Sequence, residues 1–498
     1  MTTKEELEEL LKECDKEKLH LCGHVQPFGA LIGIRKDDYL ITYVSENSEL
    51  FLHVKPESLL NHPLHEALMP LTFLVDAFAK APPKEKFSYH HLNFEHQTLD
   101  IKIFDVLSHF IIECESPHFD EHKSNDTLQC DIDLLKPPFH PKELPLYYSI
   151  LLKGIFETIK YDRIMLYRFH DDWSGEVIAE VKKEGFGSYL GLRFPASDIP
   201  SIARQMYLKN PFRHIADTKA ANIPILSIDE TTPDLTYSDI RSVSPVHIEY
   251  MNNMGMQGSF STPIIVFGEL WGLIACHNAQ AKYLCVEMRQ ACRTLAHSFA
   301  IGISSFFTNE KLQKLDSTER YLNIMMEKVI QASDILDGFE SVEDSLMQLI
   351  ACDGLVIIVD DNLLNIGDVL PQESLEILDT WFCKSRSESS FETDSFLHSA
   401  LRTLIHTTGI TAGVLAQKTT TKAGRKIRCY WFRNELKQEI AWAGNPDKPI
   451  IENAGARKLS PRRSFEQWIE IKSGYAKAWS RLDGISAMKF SKILYRWL

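Results

Sequence analysis

Thiol, carboxylate and imidazole groups in a few short blocks are the parts of this sequence that could do chemistry. Cys14 lies in a polar segment beside Lys16 and Lys18. A thiol near ammonium groups ionises more easily, and the thiolate is the nucleophilic form. The ten cysteines lack the paired Cys-x-x-Cys spacing of a zinc site, and most lie in apolar runs typical of small buried side chains. Cys14 is therefore the candidate nucleophile.

A second block places an aspartate between two prolines. Residues 193–200 read Arg-Phe-Pro-Ala-Ser-Asp-Ile-Pro, with Asp198 as the acid. Proline restricts the backbone, so the polar groups of such a loop are positioned in advance. The simpler interpretation is that Asp198 caps a helix over residues 201–208. Both can hold, because the side chain and the backbone carbonyl are different groups.

Two histidines complete the set of candidate groups. His247 follows Ser-Pro-Val in residues 244–250, and His277 ends the run Trp-Gly-Leu-Ile-Ala-Cys-His. A lone histidine is more often structural than functional. One alternative is a hydrolase that uses Cys14 with His20 or His247, but the chain has no nucleophile-elbow motif.

The elements that must position these groups belong to the α+β class, with antiparallel sheets. Short β-rich runs predict a first sensor domain, and a connector rich in turn formers follows at 116–142. A second and a third mixed domain follow. The strands expected in the three domains are 30–34, 39–44 and 110–113, then 161–169, 176–181, 263–266 and 270–277, then 354–359 and 428–432.

Long helices and one long insertion accompany the domains. The run from Cys285 to about Gln331 keeps apolar residues at helical spacing and predicts one or two connecting helices, which commonly dimerise. About thirty residues after Trp431 have little core of their own, and such insertions are usually functional arms. A final amphipathic helix over 485–498 has no cap, as if it continued in a longer protein.

Composition excludes several functional classes. The chain has 498 residues and a formal net charge of -14, with acidic and basic residues interspersed, so no basic stripe is available for nucleic acid. No apolar run reaches the roughly 18 residues that a membrane span needs. The N-terminus lacks the apolar core of a signal peptide. We therefore expect a cytoplasmic protein.

Taken together, these blocks and their order resemble the photosensory module of a bacteriophytochrome, a member of the PAS-GAF-PHY phytochrome family. The resemblance covers essentially the whole chain. It implies an N-terminal arm at 1–20, a PAS domain at 21–118, a bilin-binding GAF domain at 139–310 and a PHY domain at 311–498 with a tongue at about 430–470. The implied function is that of a dimeric red/far-red photoreceptor that holds biliverdin IXα and switches by Z/E isomerisation of this bilin.

The resemblance also implies a role for each block. Cys14 should form the thioether to biliverdin, because the position used by cyanobacterial and plant relatives is Val246 here; Cys22 is the other candidate. The backbone carbonyl of Asp198 should accept hydrogen bonds from the pyrrole nitrogens. His247 should organise the groups around the pyrroles, and His277 should reach the D-ring carbonyl. The other residues expected around the bilin and its propionates are Ile199, Pro200, Arg213, Arg241, Ser244, Ser259, Ser261, Tyr167, Phe194, Tyr207 and Tyr250.

Two larger features follow from the same resemblance. The tongue is expected to refold from hairpin to helix, with Arg462 pairing with Asp198 in one state and with Trp442 and Ser464 as further switch residues. The N-terminal segment is expected to pass through a loop between Ala221 and Tyr237 and to form a figure-of-eight knot.

Output and one rival function remain open. The chain carries no kinase or diguanylate cyclase signature, so the resemblance implies an output domain beyond residue 498, most often a histidine kinase, or a partner such as a response regulator. The alternative function is a PAS/GAF receptor for a diffusible small molecule. Such a receptor would share the folds but would need neither Cys14 nor the paired histidines.

Overall fold

A computed structural model describes residues 18–81, 86–94, 97–116, 132–384, 389–405, 410–446, 450–453, 456–459 and 465–497. The chain divides into two compact units. The first comprises residues 1–306 and 441–468, and the second comprises residues 307–440 and 469–498. Within the described ranges, no helix combines the length and the apolarity that crossing a bilayer requires.

The N-terminal part of the first unit is an antiparallel sheet with helices packed on one face. Its elements are β1 (His24–Val25), β2 (Gly29–Arg35), β3 (Ile41–Ser45), α1 (Ser48–Leu52), α2 (Pro56–Leu59), α3 (Leu64–Ala67), α4 (Met69–Lys80), β4 (Phe87–Phe94), β5 (Gln97–Val106) and β6 (His109–Glu115). Strand β2 is apolar along nearly its whole length because both of its faces are covered. Ile32 packs with Leu71 of α4, whereas Leu31 packs with Leu235 and Ile240 from much later in the chain.

A second sheet forms the central part of the first unit. Its elements are α5 (Leu144–Ile159), β7 (Arg163–Phe169), β8 (Gly175–Lys182), β9 (Arg193–Phe194), α6 (Ser201–Tyr207), β10 (Arg213–Ile215), β11 (Ile223–Ser227), α7 (Pro245–Asn253), β12 (Gly258–Val266), β13 (Glu269–Asn278) and α8 (Val286–Gln331). The strand order begins β10-β12-β13-β7-β8-β9. Short 3-10 turns lie at Leu19–Leu21, Ile132–Leu135, Pro141–Glu143 and Ala196–Asp198.

Strand β11 follows β10 in the sequence but belongs to the first sheet, whose order is β1-β11-β3-β2-β6-β5-β4. On one side of the N-terminal segment, His24 pairs with Pro224 of β11. On the other side, the backbone amide of Gln26 donates to the carbonyl of Ile240 over 2.7 Å. The segment therefore lies between two parts of one long connection, and the second of them is just beyond the loop of residues 221–237 that was predicted to enclose it. Residues 1–17, whose path would complete the predicted knot, lie outside the described residues.

Buried charges connect this loop to the first sheet and to α8. Arg289 of α8 is fully buried, and its Nη2 donates to Glu115 of β6 over 2.6 Å. Its Nη1 lies 3.7 Å from Asp239 in the loop, which also pairs with Lys102 of β5. Burial opposes the charge of Arg289, but the carboxylates of Glu115 and Asp239 raise its pKa. Burial raises the pKa of the neighbouring Glu113 to about 7.

The second unit is built on the sheet β15-β14-β18-β17-β16. In chain order the elements from here on are α9 (Ile335–Glu340), α10 (Glu343–Leu349), β14 (Gly354–Val359), β15 (Asn362–Gly367), α11 (Gln372–Lys384), β16 (Ser390–Thr393), β17 (Thr411–Thr420), β18 (Lys426–Asn434), β19 (Gln438–Ala443), β20 (Ile450–Asn453), β21 (Ala456–Leu459), β22 (Gln467–Lys472) and α12 (Arg481–Trp497). Alternate residues of β18 fill two cores: Trp431 packs with Phe490 of α12, and Tyr430 packs with Phe382 of α11.

The buried ion pairs predict a large and local effect on stability. Replacing Arg289 with Met leaves Glu115 buried without a cation and Asp239 with Lys102 alone, so the free energy of unfolding should fall by about 3–5 kcal/mol. Arg293→Met, one helical turn away at an exposed position, is the matched control and should change it by no more than about 0.5 kcal/mol. Urea unfolding followed by circular dichroism measures both. Equal losses in the two variants would contradict the assignment.

Candidate functional site

The aspartate loop is a 3-10 turn held between two prolines. Residues Ala196–Asp198 form the turn, Pro195 precedes it, and Pro200 occupies the N-cap position of α6. Arg204, one turn into α6, donates through Nη1 to the carbonyl of Ile199 over 2.6 Å. The Arg204 guanidinium also lies 4.6 Å from the Trp173 ring centroid. The loop conformation is thus fixed both by proline and by a guanidinium that binds its backbone.

The prediction that Asp198 caps this helix is wrong. Pro200 takes the N-cap position of α6, and Asp198 lies two residues further out. The Asp198 carboxylate instead accepts a hydrogen bond from the Tyr250 hydroxyl over 3.3 Å.

Helix α7 carries the second part of the site. Ser244 is at its N-cap and Pro245 at its first position, where the missing amide of proline is not needed. His247 and Tyr250 are three residues apart and so share one face of the helix. Their rings stack with centroids 6.0 Å apart and planes 15° apart. Tyr250 reaches the Asp198 loop through its hydroxyl, and His247 lies stacked beside it.

Strand register brings the remaining polar candidates to one face of the second sheet. Arg213 lies opposite Ser261, and Ser259 lies opposite His277. Residues directly opposite each other in antiparallel strands share a face, as do residues two apart in one strand. The hydroxyls of Tyr207 and Ser261 are hydrogen-bonded at 2.7 Å.

Two guanidiniums in this region, one buried (Arg241) and one part-buried (Arg213), have no acid partners among the described residues. Among the described residues, Arg213 donates through Nη2 to the carbonyl of Ser242 but forms no ion pair, and its buried Nη1 has no hydrogen-bond partner. Arg241 donates through Nη1 to the carbonyl of Leu235 and likewise has no acid partner within those residues. Burial, reinforced by the charge of Arg241, lowers the pKa of Arg213 to about 9. Both groups remain cations at neutral pH and would be stabilised by an anion.

The two histidines are neutral at physiological pH. Burial, followed by the charge of Arg213, lowers the pKa of His247 to about 4. Burial, followed by the charge of Arg163, lowers the pKa of His277 to about 3. The Nδ1 atom of His277 is buried and has no hydrogen-bond partner among the described residues. A neutral imidazole has one donor and one acceptor nitrogen, so His277 is available to bind a polar group.

Aromatic and apolar side chains form the wall beside these polar groups. Tyr167 and Phe194 have ring centroids 5.9 Å apart and belong to one buried cluster, with Ile199 and Tyr207 at its edge. The Tyr167 ring lies over Gly175, where an added Cβ would come within 1.8 Å of it. Gly175 is therefore required for the position of this tyrosine.

The segment after the second sheet adds contacts from far along the chain. Trp442 of β19 pairs with Arg193 of β9, and Ala443 is fully buried in the same aromatic cluster. Phe465 packs edge-on against Tyr250, with ring centroids 5.3 Å apart. Cys14, Arg462 and Ser464, three of the predicted site residues, lie outside the described residues.

Several contributing residues did not follow from the sequence. Arg204 donates a hydrogen bond to the backbone of the Asp198 loop, and Gly175 leaves room for the Tyr167 ring. The positive charge of Arg163 helps to lower the pKa of His277. Arg163 is itself paired with Glu180 at 3.2 Å in a buried position. A glycine within a strand is a sequence signal for close packing, but nothing local marks the two arginines as different from surface ones.

The donor set fits one kind of ligand. Two enclosed cations without acid partners in the described part of the chain call for an anion, and guanidinium suits carboxylate through its two-pronged geometry. Nearby hydroxyls, a neutral imidazole and an aromatic wall suit a conjugated ring system that carries polar edges. The residues present therefore fit a linear tetrapyrrole with two propionates.

Comparison with known proteins agrees with this chemistry. Three family models match consecutive parts of the chain: a PAS fold at 14–117, a GAF domain at 147–303 and a phytochrome region at 318–498. The chain is 32% identical over 494 residues to cyanobacterial phytochrome B of Nostoc sp., covering 96% of this chain and 65% of that protein. It is 31% identical over 488 residues to a bacteriophytochrome of Pseudomonas aeruginosa, covering 95% of this chain and 65% of that protein. The chain thus spans about two thirds of the length of these relatives.

Solved structures give the same answer. The crystal structure of a bacteriophytochrome from the photosynthetic bacterium R. palustris matches with a TM-score of 0.85 and 27% identity, covering 98% of this chain and 99% of that one. The photosensory core module of the Stigmatella aurantiaca phytochrome matches with a TM-score of 0.83 and 27% identity, covering 97% of each chain. Three domain models in the family's order, relatives across the whole chain and this agreement in fold show that the chain belongs to the phytochrome family.

Proposed function

We propose that this chain is the light-sensing module of a red/far-red photoreceptor, which holds biliverdin IXα through a thioether with Cys14. The observation that carries the proposal is the pair of guanidiniums without acid partners among the described residues: Arg241, which is buried, and Arg213, whose Nη1 is enclosed. Two cations of this kind match the two propionates of a bilin.

Each part of the site has a task in the proposal. When bound, biliverdin supplies a conjugated system that absorbs red light and isomerises between Z and E at its C/D methine bridge. Arg213 and Arg241 hold the propionates, assisted by the hydroxyls of Ser244, Ser259 and Ser261. The backbone carbonyl of Asp198 accepts hydrogen bonds from pyrrole nitrogens, because Pro195, Pro200 and Arg204 fix the loop in advance.

The D-ring end is assigned to His277 and the aromatic residues. The unpartnered Nδ1 of His277 supports a hydrogen bond to the ring carbonyl, and the low pKa keeps the imidazole neutral. Tyr167, Phe194, Tyr207 and Tyr250 form the surrounding wall, so a rotated ring would meet different hydrogen-bond partners.

Signal relay is assigned to the tongue. Trp442 and Phe465 contact Arg193 and Tyr250, next to the Asp198 loop, so a change at that loop reaches the tongue directly. We propose that Arg462 pairs with Asp198 in one of two states and that Ser464 and Trp442 exchange contacts between them. A hairpin that refolds to a helix would be a bistable element biased by a local change.

The partners are proposed on the same basis. Exposed apolar residues on α8, among them Ile301, Leu312 and Ile324, support a homodimer through this helix. Output is assigned to a histidine kinase, a diguanylate cyclase or a response regulator in the cytoplasm. The competing function is that of a PAS/GAF receptor for a diffusible small molecule.

The absorption spectrum separates these functions. Assembled with biliverdin, the chain should show a red band that shifts reversibly to longer wavelength under red light and returns under far-red light. Cys14→Ala should lose covalent attachment, so that the pigment leaves the protein in denaturing electrophoresis, whereas Cys22→Ala should keep it. Without any red band the photoreceptor assignment fails and the small-molecule receptor takes its place.

Arg213→Ala tests the propionate assignment. In a Cys14→Ala background, where binding is reversible, this change removes a charge-assisted contact and should weaken biliverdin binding about 10- to 100-fold. The bilin-free chain should lose little stability, since no ion pair is broken. Arg168→Ala, an exposed residue of β7, is the control and should bind normally. Unchanged affinity in Arg213→Ala, measured by fluorescence quenching, would refute the assignment.

The two pocket histidines predict the acid response of the bilin-free chain. Their pKa values of about 3 and about 4 lie below the usual 6.5 of an unfolded histidine, so below pH 6.5 the unfolded chain binds protons that the folded chain does not. Acid should therefore lower the free energy of unfolding, and His277→Gln should reduce that slope. Side-chain NMR titration reads both imidazoles directly; a midpoint above pH 6 for either would contradict the prediction.

A further inference from the structure

A separate cluster of ligating side chains lies in the first unit, on the first sheet and α8. His91 of β4 and Asp100 of β5 are cross-strand partners, with Nδ1 and Oδ1 2.6 Å apart. Glu287 belongs to the first turn of α8, and its Oε1 lies 3.9 Å from Nε2 of His91. One ligand atom from each residue lies within 4.8 Å of the other two.

The carboxylate of Asp100 indicates that this cluster can take up a further group. Asp100 is 3% exposed, and its buried Oδ2 has no hydrogen-bond partner among the described residues. All three side chains line a cavity of about 1050 Å³. A buried carboxylate oxygen without a donor is costly, and a cation reaching it from the cavity would remove that cost. The nearby Arg289 already binds Glu115 and Asp239.

We propose that His91, Asp100 and Glu287 bind a divalent transition metal ion, for which Zn²⁺ is the probe. Imidazole nitrogen favours transition metals over Mg²⁺ or Ca²⁺. Zinc ligands lie about 2.0–2.2 Å from the metal, so tetrahedral binding places them roughly 3.4 Å from one another. The 2.6 Å contact between His91 and Asp100 must therefore open, and Glu287 must come closer to His91. The side chains of His91 and Glu287 are 64% and 58% exposed and are able to make this movement.

The fourth coordination position is open to water, as in zinc sites with three protein ligands. A bound ion would link the β4–β5 hairpin to the first turn of α8, two elements almost 200 residues apart in the chain. Binding needs no bilin, so the site stands independently of the photoreceptor function.

Calorimetric titration of the bilin-free 498-residue chain with Zn²⁺ tests the proposal. We expect His91→Ala and Glu287→Gln each to bind one ion fewer than the unchanged chain, or to bind it at least tenfold more weakly. His65→Ala is the matched control, because His65 faces a single exposed carboxylate, Glu66, at 3.8 Å. Any zinc bound by cysteines elsewhere is the same in the unchanged chain and in all the variants, so it does not affect the difference in stoichiometry between them.

The thermal unfolding temperature is the second measurement, and in the absence of metal it also shows whether each variant is folded. Without metal, Glu287→Gln should unfold at the same temperature as the unchanged chain, because Glu287 is exposed. Saturating Zn²⁺ should then raise the unfolding temperature of the unchanged chain and of His65→Ala more than that of Glu287→Gln, since a ligand that binds the folded state stabilises it. Equal zinc stoichiometry and affinity in all variants, or an equal thermal shift, would overturn the proposal.

Discussion

Arg289 is a fully buried cation on which the first unit depends. It joins α8 to Glu115 at the end of one strand and to Asp239 in a loop much later in the chain. Lys102 completes the contact with Asp239 from a third element. An isolated first sheet would not satisfy these charges, because Asp239 lies in the loop after β11 and Arg289 lies on α8. The ionic cluster therefore requires that the first sheet, this loop and the helix be assembled together, which in turn fixes the loop that carries Arg241.

The charge arrangement at the site is the reverse of that cluster. Around Arg289 each cation forms ion pairs with carboxylates, whereas Arg213 and Arg241 donate to backbone carbonyls and form no ion pair among the described residues. The site is thus electrostatically incomplete. That difference separates a structural set of charges from one prepared for a ligand.

Much of this architecture could be predicted from local pattern. Strands such as Gly354–Val359 appear where their apolar runs indicate, and the long helix extends over the Gly- and Pro-poor run ending at Gln331. The final helix starts at Arg481, four residues before the expected position. Its first turn is stabilised by two hydrogen bonds, in which the backbone amides of Ser480 and Asp483 each donate to the side chain of the other residue.

Long-range relations could not be read in the same way. The apolar run in β2 predicts burial on both faces of the strand. It does not predict that one of these faces packs against a loop from much later in the chain. At the site, the two-residue spacing of Ser259 and Ser261 predicts a shared face, whereas the partnership of that face with Arg213 depends on strand register. The hydrogen bond from Arg204 depends on the direction of the Ile199 carbonyl in the loop. Such details follow from tertiary geometry, which one sequence does not contain.

The enclosed N-terminal segment has a consequence for synthesis on the ribosome. Strand β1 pairs with a strand about 200 residues later, so its place in the first sheet does not exist when it leaves the exit tunnel. At translation rates of about 5–20 residues per second, this segment waits roughly 10–40 s for its partner. During that time the edge of β3 that later receives β11 is uncovered. The nascent chain thus exposes a strand edge open to wrong pairing, and a chaperone that covers it would increase the yield of folded protein.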